Sequence, residues 1–306
     1  MSVLQNKKYL IVIAGPTAVG KTALSIRVAQ HFHTEILSAD SRQFYKEMNI
    51  GTAKPSAEEL AAVPHHFINT LHITDEYTVG MYEAQALQVL QELYTKHDLV
   101  VLTGGSGLFI KTLCEGLDDI PEVAPSIREE LNAAFKKNGL ETLLEELKEK
   151  DPDYYETVDR GNPVRIIRAL EICRGTGKPF SSFRTSNKKE RFFTTIKIAL
   201  DRPREELYKR IDLRMDQMLA EGLVEEAKNL YQYKNKNALQ TVGYSEVFDF
   251  LDGLYDAEEM ERLLKRNSHH YAKRQLTWFR KDKEYHWFLP GQEERIFSFI
   301  ESQIQK

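Results

Sequence analysis

The sequence predicts an α/β fold, a parallel sheet flanked by helices and interrupted by an all-helical insertion. Three observations predict it. Short apolar runs alternate with helical periodicity over residues 1–117. A glycine-rich turn follows the first apolar run and opens a helix. Strand signals vanish between 118 and 189, where leucine and isoleucine recur at helical spacing. Strand–helix alternation favours a parallel sheet, because each crossover helix returns the chain for another strand in the same direction.

Residues 8–14 contain Tyr9-Leu10-Ile11-Val12-Ile13-Ala14, a continuous apolar run as expected of a strand covered on both faces. Gly15-Pro16-Thr17-Ala18-Val19-Gly20-Lys21-Thr22 then satisfies G-x-x-x-x-G-K-[ST]. Ala23, Leu24, Ile26, Val28, Ala29 and Phe32 fit a helix packed on one side. Unpaired N–H groups at that helix start favour an anion, Lys21 adds a point charge, and Thr22 offers a hydroxyl to Mg²⁺. This context reads as a phosphate-cradling loop on a P-loop NTPase-like sheet. It fixes the kind of group held, a diphosphate or polyphosphate, and leaves the reaction open.

Glu35–Ala39 is a second short strand ending at Asp40, and 81–96 is a helix with Ala84, Leu87, Leu90 and Leu93 at helical spacing. Leu99–Leu102 is a third strand, followed by Thr103-Gly104-Gly105-Ser106-Gly107. Ligands of such sheets collect at the carboxyl ends of the strands. Gly15–Thr22, Asp40 and Thr103–Gly107 are therefore expected to converge.

Asp118–Pro125 holds two prolines and three acids and reads as a linker. Ser126 to about Arg174 is helical, with one stripe of Leu140, Leu143, Leu144 and Leu147 and another of Ile166, Ile167, Leu170 and Ile172. Gly175–Lys189 is a second hinge, and Phe193–Leu200 a returning strand. Pro203 opens the next helix within its first turn. Residues 204–285 are helical, with turns near Gly243 and Asp252-Gly253. The domains are thus a core from 1–117, a helical insertion from 118–189, and the rest of the core from 190–306.

The formal net charge is −4, so no global field draws the chain to nucleic acid. Any RNA-binding surface must be local. Residues 262–283 carry eight Lys/Arg against one Asp, with Tyr271, Trp278 and Phe279 interleaved. That asymmetry favours RNA, although most of the aromatics are expected in the core. Arg160, Arg165 and Arg168 cluster around Gly161-Asn162-Pro163, a basic turn at a helix start that suits RNA phosphates, with a solvated surface fitting nearly as well. Cys114 and Cys173 form no C-x-x-C pair, so buried, reduced thiols and a cytoplasmic protein are expected. His65-His66 and His269-His270 lack zinc-ligand spacing. With so short a segment before the first strand no signal peptide is expected, and no apolar run reaches the ~20 residues of a membrane helix.

Asp40 is the sharpest chemical candidate. Its carboxylate, ending a strand beside the phosphate loop, could take a proton, ligate Mg²⁺ or cap the next segment. The Thr103–Gly107 loop reads alone as a tight turn, and with Asp40 as a third wall of a pocket. Arg210 and Arg214 stand one helical turn apart. From the residues alone a solvated face beside Asp212 and Asp216 is favoured over a clamp on diphosphate. An N-K-x-D stretch and a strand ending in a metal-ligating acid are missing, which disfavours GTPases and hydrolytic motors.

Taken together the motifs resemble bacterial tRNA dimethylallyltransferases over nearly the whole chain. The resemblance is carried by Gly15–Thr22, Ser38-Ala39-Asp40-Ser41-Arg42-Gln43-Phe44-Tyr45, Ile50-Gly51-Thr52-Ala53-Lys54-Pro55, Pro64-His65-His66 and Gly104-Gly105-Ser106-Gly107-Leu108-Phe109. Asn162–Glu171, Val242-Gly243-Tyr244 and Ala272-Lys273-Arg274-Gln275-Leu276-Thr277-Trp278-Phe279-Arg280 continue it. Ser106 stands where relatives often carry threonine, which keeps the hydroxyl.

The resemblance implies transfer of a dimethylallyl group from dimethylallyl diphosphate to N6 of adenosine 37 in tRNAs reading codons that begin with U. It implies Asp40 as base and Ser106 as a holder of the amine or of Asp40. It also implies that Lys21, Mg²⁺ on Thr22, the loop N–H groups of Gly15–Thr22 and Arg214 stabilise the leaving diphosphate. Asp40, Ser41, Arg42, Gln43, Ser106, Arg128, Val164, Arg165, Ile166, Ile167 and Arg168 occupy positions where the family touches tRNA. The expected partners are the anticodon stem-loop and the prenyl donor, which is the expected occupant of the loop although the motif also suits ATP. A monomer is expected. The competing readings are a transferase acting on free adenine nucleotides, a P-loop small-molecule kinase and a non-catalytic RNA-binding ATPase.

Overall fold

The apolar run near the amino terminus forms β1 (Tyr9–Ala14), every residue of which is buried. The structure, a computed structural model, describes residues 7–185 and 187–305. After β1 come α1 (Lys21–His31), β2 (Ile36–Ser38), α2 (Ala57–Ala62), β3 (His65–His66), α3 (Val79–Leu93), β4 (Leu99–Gly104) and α4 (Gly107–Glu115). Four helices follow, α5 (Pro125–Asn138), α6 (Leu140–Lys150), α7 (Pro152–Thr157) and α8 (Pro163–Thr176). The chain then returns through β5 (Thr194–Leu200), α9 (Arg204–Ala220), α10 (Leu223–Asn229), α11 (Tyr244–Leu251), α12 (Ala257–Lys281), β6 (His286–Phe288) and α13 (Glu293–Ile304).

The six strands form one sheet in the order β3-β2-β4-β1-β5-β6, every neighbouring pair parallel. Alternate residues of β1 feed two cores. Leu10, Val12 and Ala14 pack with Phe44, Tyr82, Leu102 and Tyr244 on one face. Ile11 and Ile13 pack with Leu24, Val28, Ile211, Ile296 and Ile300 on the other. Burying a Leu or Ile side chain contributes about 1.5–3 kcal/mol, so a strand apolar on both faces belongs at the sheet centre.

The compact units divide at Glu115 and Glu190, slightly outside the 118–189 boundaries read from the sequence. Within the small unit, α5–α8 enclose Leu131, Leu143, Leu147, Ile166, Leu170 and Ile172. Asp151 caps α7 through the Tyr154 N–H and also accepts from the Ser181 N–H and hydroxyl. Arg174 holds Glu146 through Nε and Nη2 at 2.8 and 2.7 Å, tying α8 to α6.

Some elements depart from the sequence reading. β3, β6 and α13 were not anticipated, since β3 is two histidines and β6 only three residues. α3 starts earlier, where the Thr78 hydroxyl accepts the Met81 N–H. Its buried stripe is Tyr82, Ala86, Leu90 and Leu93, and Ala84 faces solvent. Pro203 stands one residue before α9 rather than inside its first turn. Both cysteines are buried. Among the described residues no helix is long and apolar enough to cross a membrane.

Candidate active site at the carboxyl ends of the strands

The phosphate loop leaves β1 through Gly15, whose φ of 145° favours glycine. A β-carbon there would lie 2.8 Å from the Leu200 carbonyl oxygen. Gly20, at φ 112°, turns the chain into α1. Lys21 Nζ donates to the carbonyls of Gly15 and Pro16 at 3.0 and 2.8 Å. Burial pushes its ammonium down to about 8, against the opposing pull of Asp40 and with a smaller push from Arg214. α9 lays both of its candidate arginines on this loop. Arg210 Nε donates to the Ala18 carbonyl at 2.9 Å, and Arg214 Nη2 donates to the Thr17 hydroxyl. The solvated-face reading therefore fails for the partly buried Arg214, whereas Arg210 touches the loop and stays exposed. The sequence showed that the two arginines share a face but could not show that the face meets a loop almost two hundred residues away.

The turn after β4 is built by close backbone approach. A β-carbon on Gly104 would lie 2.3 Å from the Ala39 carbonyl oxygen. Ala39 donates to the Thr103 carbonyl at 2.7 Å, and the Ser106 N–H donates back to Ala39 at 3.3 Å. Ser106 Oγ accepts the Ser41 N–H at 3.0 Å and lies 3.2 Å from the Ser41 hydroxyl. Ser106 thus fixes the residue after Asp40 rather than the Asp40 carboxylate. Asp40 Oδ1 accepts the Arg42 N–H at 3.0 Å, and Gln43 Nε2 donates to the carbonyls of Thr52 and Ala53 at 3.2 and 3.1 Å.

Two cavities adjoin here. The larger, about 320 Å³, is lined by the phosphate loop and Thr22, by Ser38, Asp40 and Thr103, by Thr52 and Ala53, and by Arg210 and Arg214. The smaller, about 70 Å³, shares Thr17, Asp40, Thr52 and Arg214 with it and adds Arg42, Met215, Met218, Val242 and Tyr271. Asp40 lies on the boundary of both. Burial, with Asp40 adding to it, raises the Tyr271 hydroxyl to about 12, so Tyr271 stays a neutral donor at physiological pH. Thr22, Ser38, Asp40 and Thr103 give the larger cavity oxygen donors only, a set that fits a hard cation such as Mg²⁺.

In the small unit, Arg128 Nη2 and Arg168 Nη1 both reach the buried Glu171 carboxylate, at 2.8 and 2.9 Å, and both guanidinium groups remain half exposed. Val164 and Arg165 are exposed. Ile166 and Ile167 are a correction to the RNA-facing set. Their side chains lie in the core of the unit, so only their backbone could serve a ligand. In the basic stretch of α12, Arg262, Lys265 and Arg280 are engaged by Glu259, Asp216 and Glu261, and Asp201. Phe279 is core and Trp278 partly exposed.

Two contributors escaped the sequence reading. Glu226 accepts the N–H groups of Asn49, Ile50 and Gly51 at 2.8–3.0 Å, fixing the loop that carries Thr52 and Ala53. Nothing in the sequence marks it. Gln275 bonds the phosphate loop and the β4 turn together, and its only signal was its place in the Ala272–Arg280 motif.

The family model described as IPP transferase matches residues 43–282. The chain is 56% identical over 299 residues to a protein named tRNA dimethylallyltransferase from Cytophaga hutchinsonii, covering 98% of each. It is 54% identical over 297 residues to one of the same name from Christiangramia forsetii, covering 97% of this chain and 98% of the relative. Among solved structures, the full-length tRNA isopentenylpyrophosphate transferase from Bacillus halodurans is 37% identical, with a TM-score of 0.72 and coverage of 98% and 97%. A eukaryotic dimethylallyltransferase described as acting on tRNA gives a TM-score of 0.80 at 26% identity, covering 97% of this chain and 80% of that one. With the phosphate loop, the Asp40 turn and the β4 turn converging on a P-loop NTPase-like sheet, and with relatives matched almost end to end, the chain belongs to the IPP transferase family.

Proposed function

We propose that this chain transfers a dimethylallyl group from dimethylallyl diphosphate to N6 of adenosine 37 in tRNAs reading codons that begin with U, releasing diphosphate. The observation that carries this reading is the place of Asp40, on the boundary between a cavity lined by the phosphate loop and a second one with apolar methionine and valine walls. The names of the close relatives support the same reaction.

The exocyclic amine of adenine is a weak nucleophile, because its lone pair is delocalised into the ring. As the N6–C1 bond forms and the allylic C1–O bond breaks, the Asp40 carboxylate accepts the amine proton. The Arg42 N–H at Oδ1 and the Ser106 clamp on Ser41 fix its direction. Negative charge grows on the departing diphosphate, where Lys21, the N–H groups opening α1, Arg210 and Arg214 are already in place. Thr22 would hold Mg²⁺, which when bound offsets further charge on that diphosphate. The adenosine must leave its stack to reach Asp40. Arg128, Arg165 and Arg168 of the small unit supply cations for the anticodon stem-loop. The tRNA substrate supports a cytoplasmic setting.

The test is incubation with radiolabelled dimethylallyl diphosphate, Mg²⁺ and, in parallel, unmodified tRNA or AMP. Label in adenosine 37 of the tRNA alone is expected. Label in AMP alone would shift the reading to a free-nucleotide transferase, and phosphoryl transfer from ATP without donor would shift it to a kinase.

A further inference from the structure

α12 runs along the carboxyl ends of the strands and presents Ser268, Tyr271, Gln275 and Trp278 at helical spacing toward them. Ser268 and Tyr271 line the smaller cavity. The Trp278 indole fills the space above Gly107, where a β-carbon would lie 2.2 Å from its Cδ1. Gln275 differs from these three in being a buried amide used at both ends. Its Oε1 accepts the Thr17 N–H at 2.8 Å, and its Nε2 donates to the Gly105 carbonyl at 3.0 Å. It is 6% exposed. It sits so close to the β4 turn that a β-carbon on Gly105 would lie 2.3 Å from Nε2.

The two backbone groups it joins belong to opposite halves of the site. Thr17 is part of the phosphate loop, lines both cavities and receives Arg214 on its hydroxyl. Gly105 precedes Ser106, whose Oγ accepts the N–H of Ser41, next to Asp40. A continuous bonded path therefore runs from the phosphate loop through one amide to the segment carrying the proposed base. An apolar side chain of the same length would fill the volume without this link, so packing alone does not explain the residue.

We infer that Gln275 is a positioning residue: it holds the phosphate loop and the β4 turn in one fixed relation, keeping the leaving diphosphate and the Asp40 carboxylate in register. This rests on the prenyl-transfer reading above. A displacement of about an ångström between reacting groups costs on the order of 10²-fold in rate. Gln275→Met keeps the length and removes both bonds. It is expected to lower kcat by ~10²-fold while the KM values for donor and tRNA stay within about threefold. A double-mutant cycle gives a readout that packing would not reproduce. Gly105→Ala, whose new methyl must displace the amide, is expected to lower kcat by about tenfold or more in the wild-type background, and to add less than about twofold in a Gln275→Ala background. A kcat for Gln275→Met within threefold of wild type, a loss residing wholly in KM, or additive effects in the cycle would overturn the inference. The reading it rests on fails separately, by absence of dimethylallyl transfer to tRNA in the unmutated protein.

Discussion

The Tyr244 ring occupies the space that a side chain on residue 51 would need: a β-carbon there would lie 2.5 Å from Tyr244 Cε2. The Tyr244 hydroxyl donates to Glu226 at 2.6 Å, and the same carboxylate receives the N–H groups of Asn49, Ile50 and Gly51. Ring, carboxylate and loop form one packed unit under Thr52 and Ala53, which wall the larger cavity. Gly51→Ala should therefore cost about 1–3 kcal/mol by overpacking. It should also raise the donor KM by about tenfold as Thr52 and Ala53 shift. A thermal melt and donor-titrated initial rates check both, and an unchanged melting temperature would show that the loop yields freely.

Lys21 links donor binding to pH. Its ammonium is held down to about 8 by burial, and a bound diphosphate would raise it again. Above pH 8 the lysine must therefore take up a proton for the donor to bind. Donor affinity should be flat from pH 7 to about 8 and then fall by up to tenfold per pH unit. The effect on folding has the opposite sign. The unfolded lysine holds its proton up to its ordinary value of 10.5, so burial costs stability below pH 8 and that cost is relieved between 8 and 10.5. Calorimetric donor titrations at several pH values test the first statement, with Lys21→Met expected to abolish the alkaline fall.

Asp40→Asn keeps the shape and an acceptor for the Arg42 N–H at Oδ1, and removes the proton acceptor. Turnover should fall by roughly 10²–10⁴-fold, the span of a lost general base. Binding of tRNA should change far less, because Ser41 remains clamped by Ser106. Single-turnover transfer at saturating tRNA separates the two effects, and near-normal transfer would remove Asp40 from the role of base.

How much of this was legible in the sequence follows from range. Ile36-Leu37 announces a buried strand, so Asp40 could be placed at a strand end without any partner being known. The phosphate loop is local as well. Spacing alone favours a solvated face for Arg214, and only the family resemblance implies a place at the diphosphate, because a helix records which residues share a face but not what that face meets, and its partner Thr17 lies 197 positions away. Gln275 bonds across 258 positions to Thr17, and Glu226 across 175 to Gly51. His65-His66 forms a strand only because β2 offers it an edge, with no apolar run to mark it. Ile166 and Ile167 failed for a related reason. A motif covers a stretch of helix, whereas burial divides that stretch by face.

Glu171 sets two expectations of opposite sign against each other. It is a buried carboxylate shared by Arg128 and Arg168, whose guanidinium groups remain half exposed. Glu171→Gln removes a negative charge from a surface proposed to bind RNA, so charge alone predicts tighter binding and a steeper salt dependence. Positioning predicts the reverse. Without the carboxylate the two arginines regain rotamer freedom and repel one another, and the fixed spacing that would meet successive phosphates is lost. The arginines are already half exposed on the surface proposed to bind RNA, so order rather than added charge should dominate. Affinity for an anticodon stem-loop should therefore weaken by about three- to tenfold, with stability lower by about 1–3 kcal/mol from the lost charge-assisted bonds. Fluorescence anisotropy at two salt concentrations decides the matter: tighter binding in the variant would mean that Glu171 merely neutralises charge and that the arginines need no fixing.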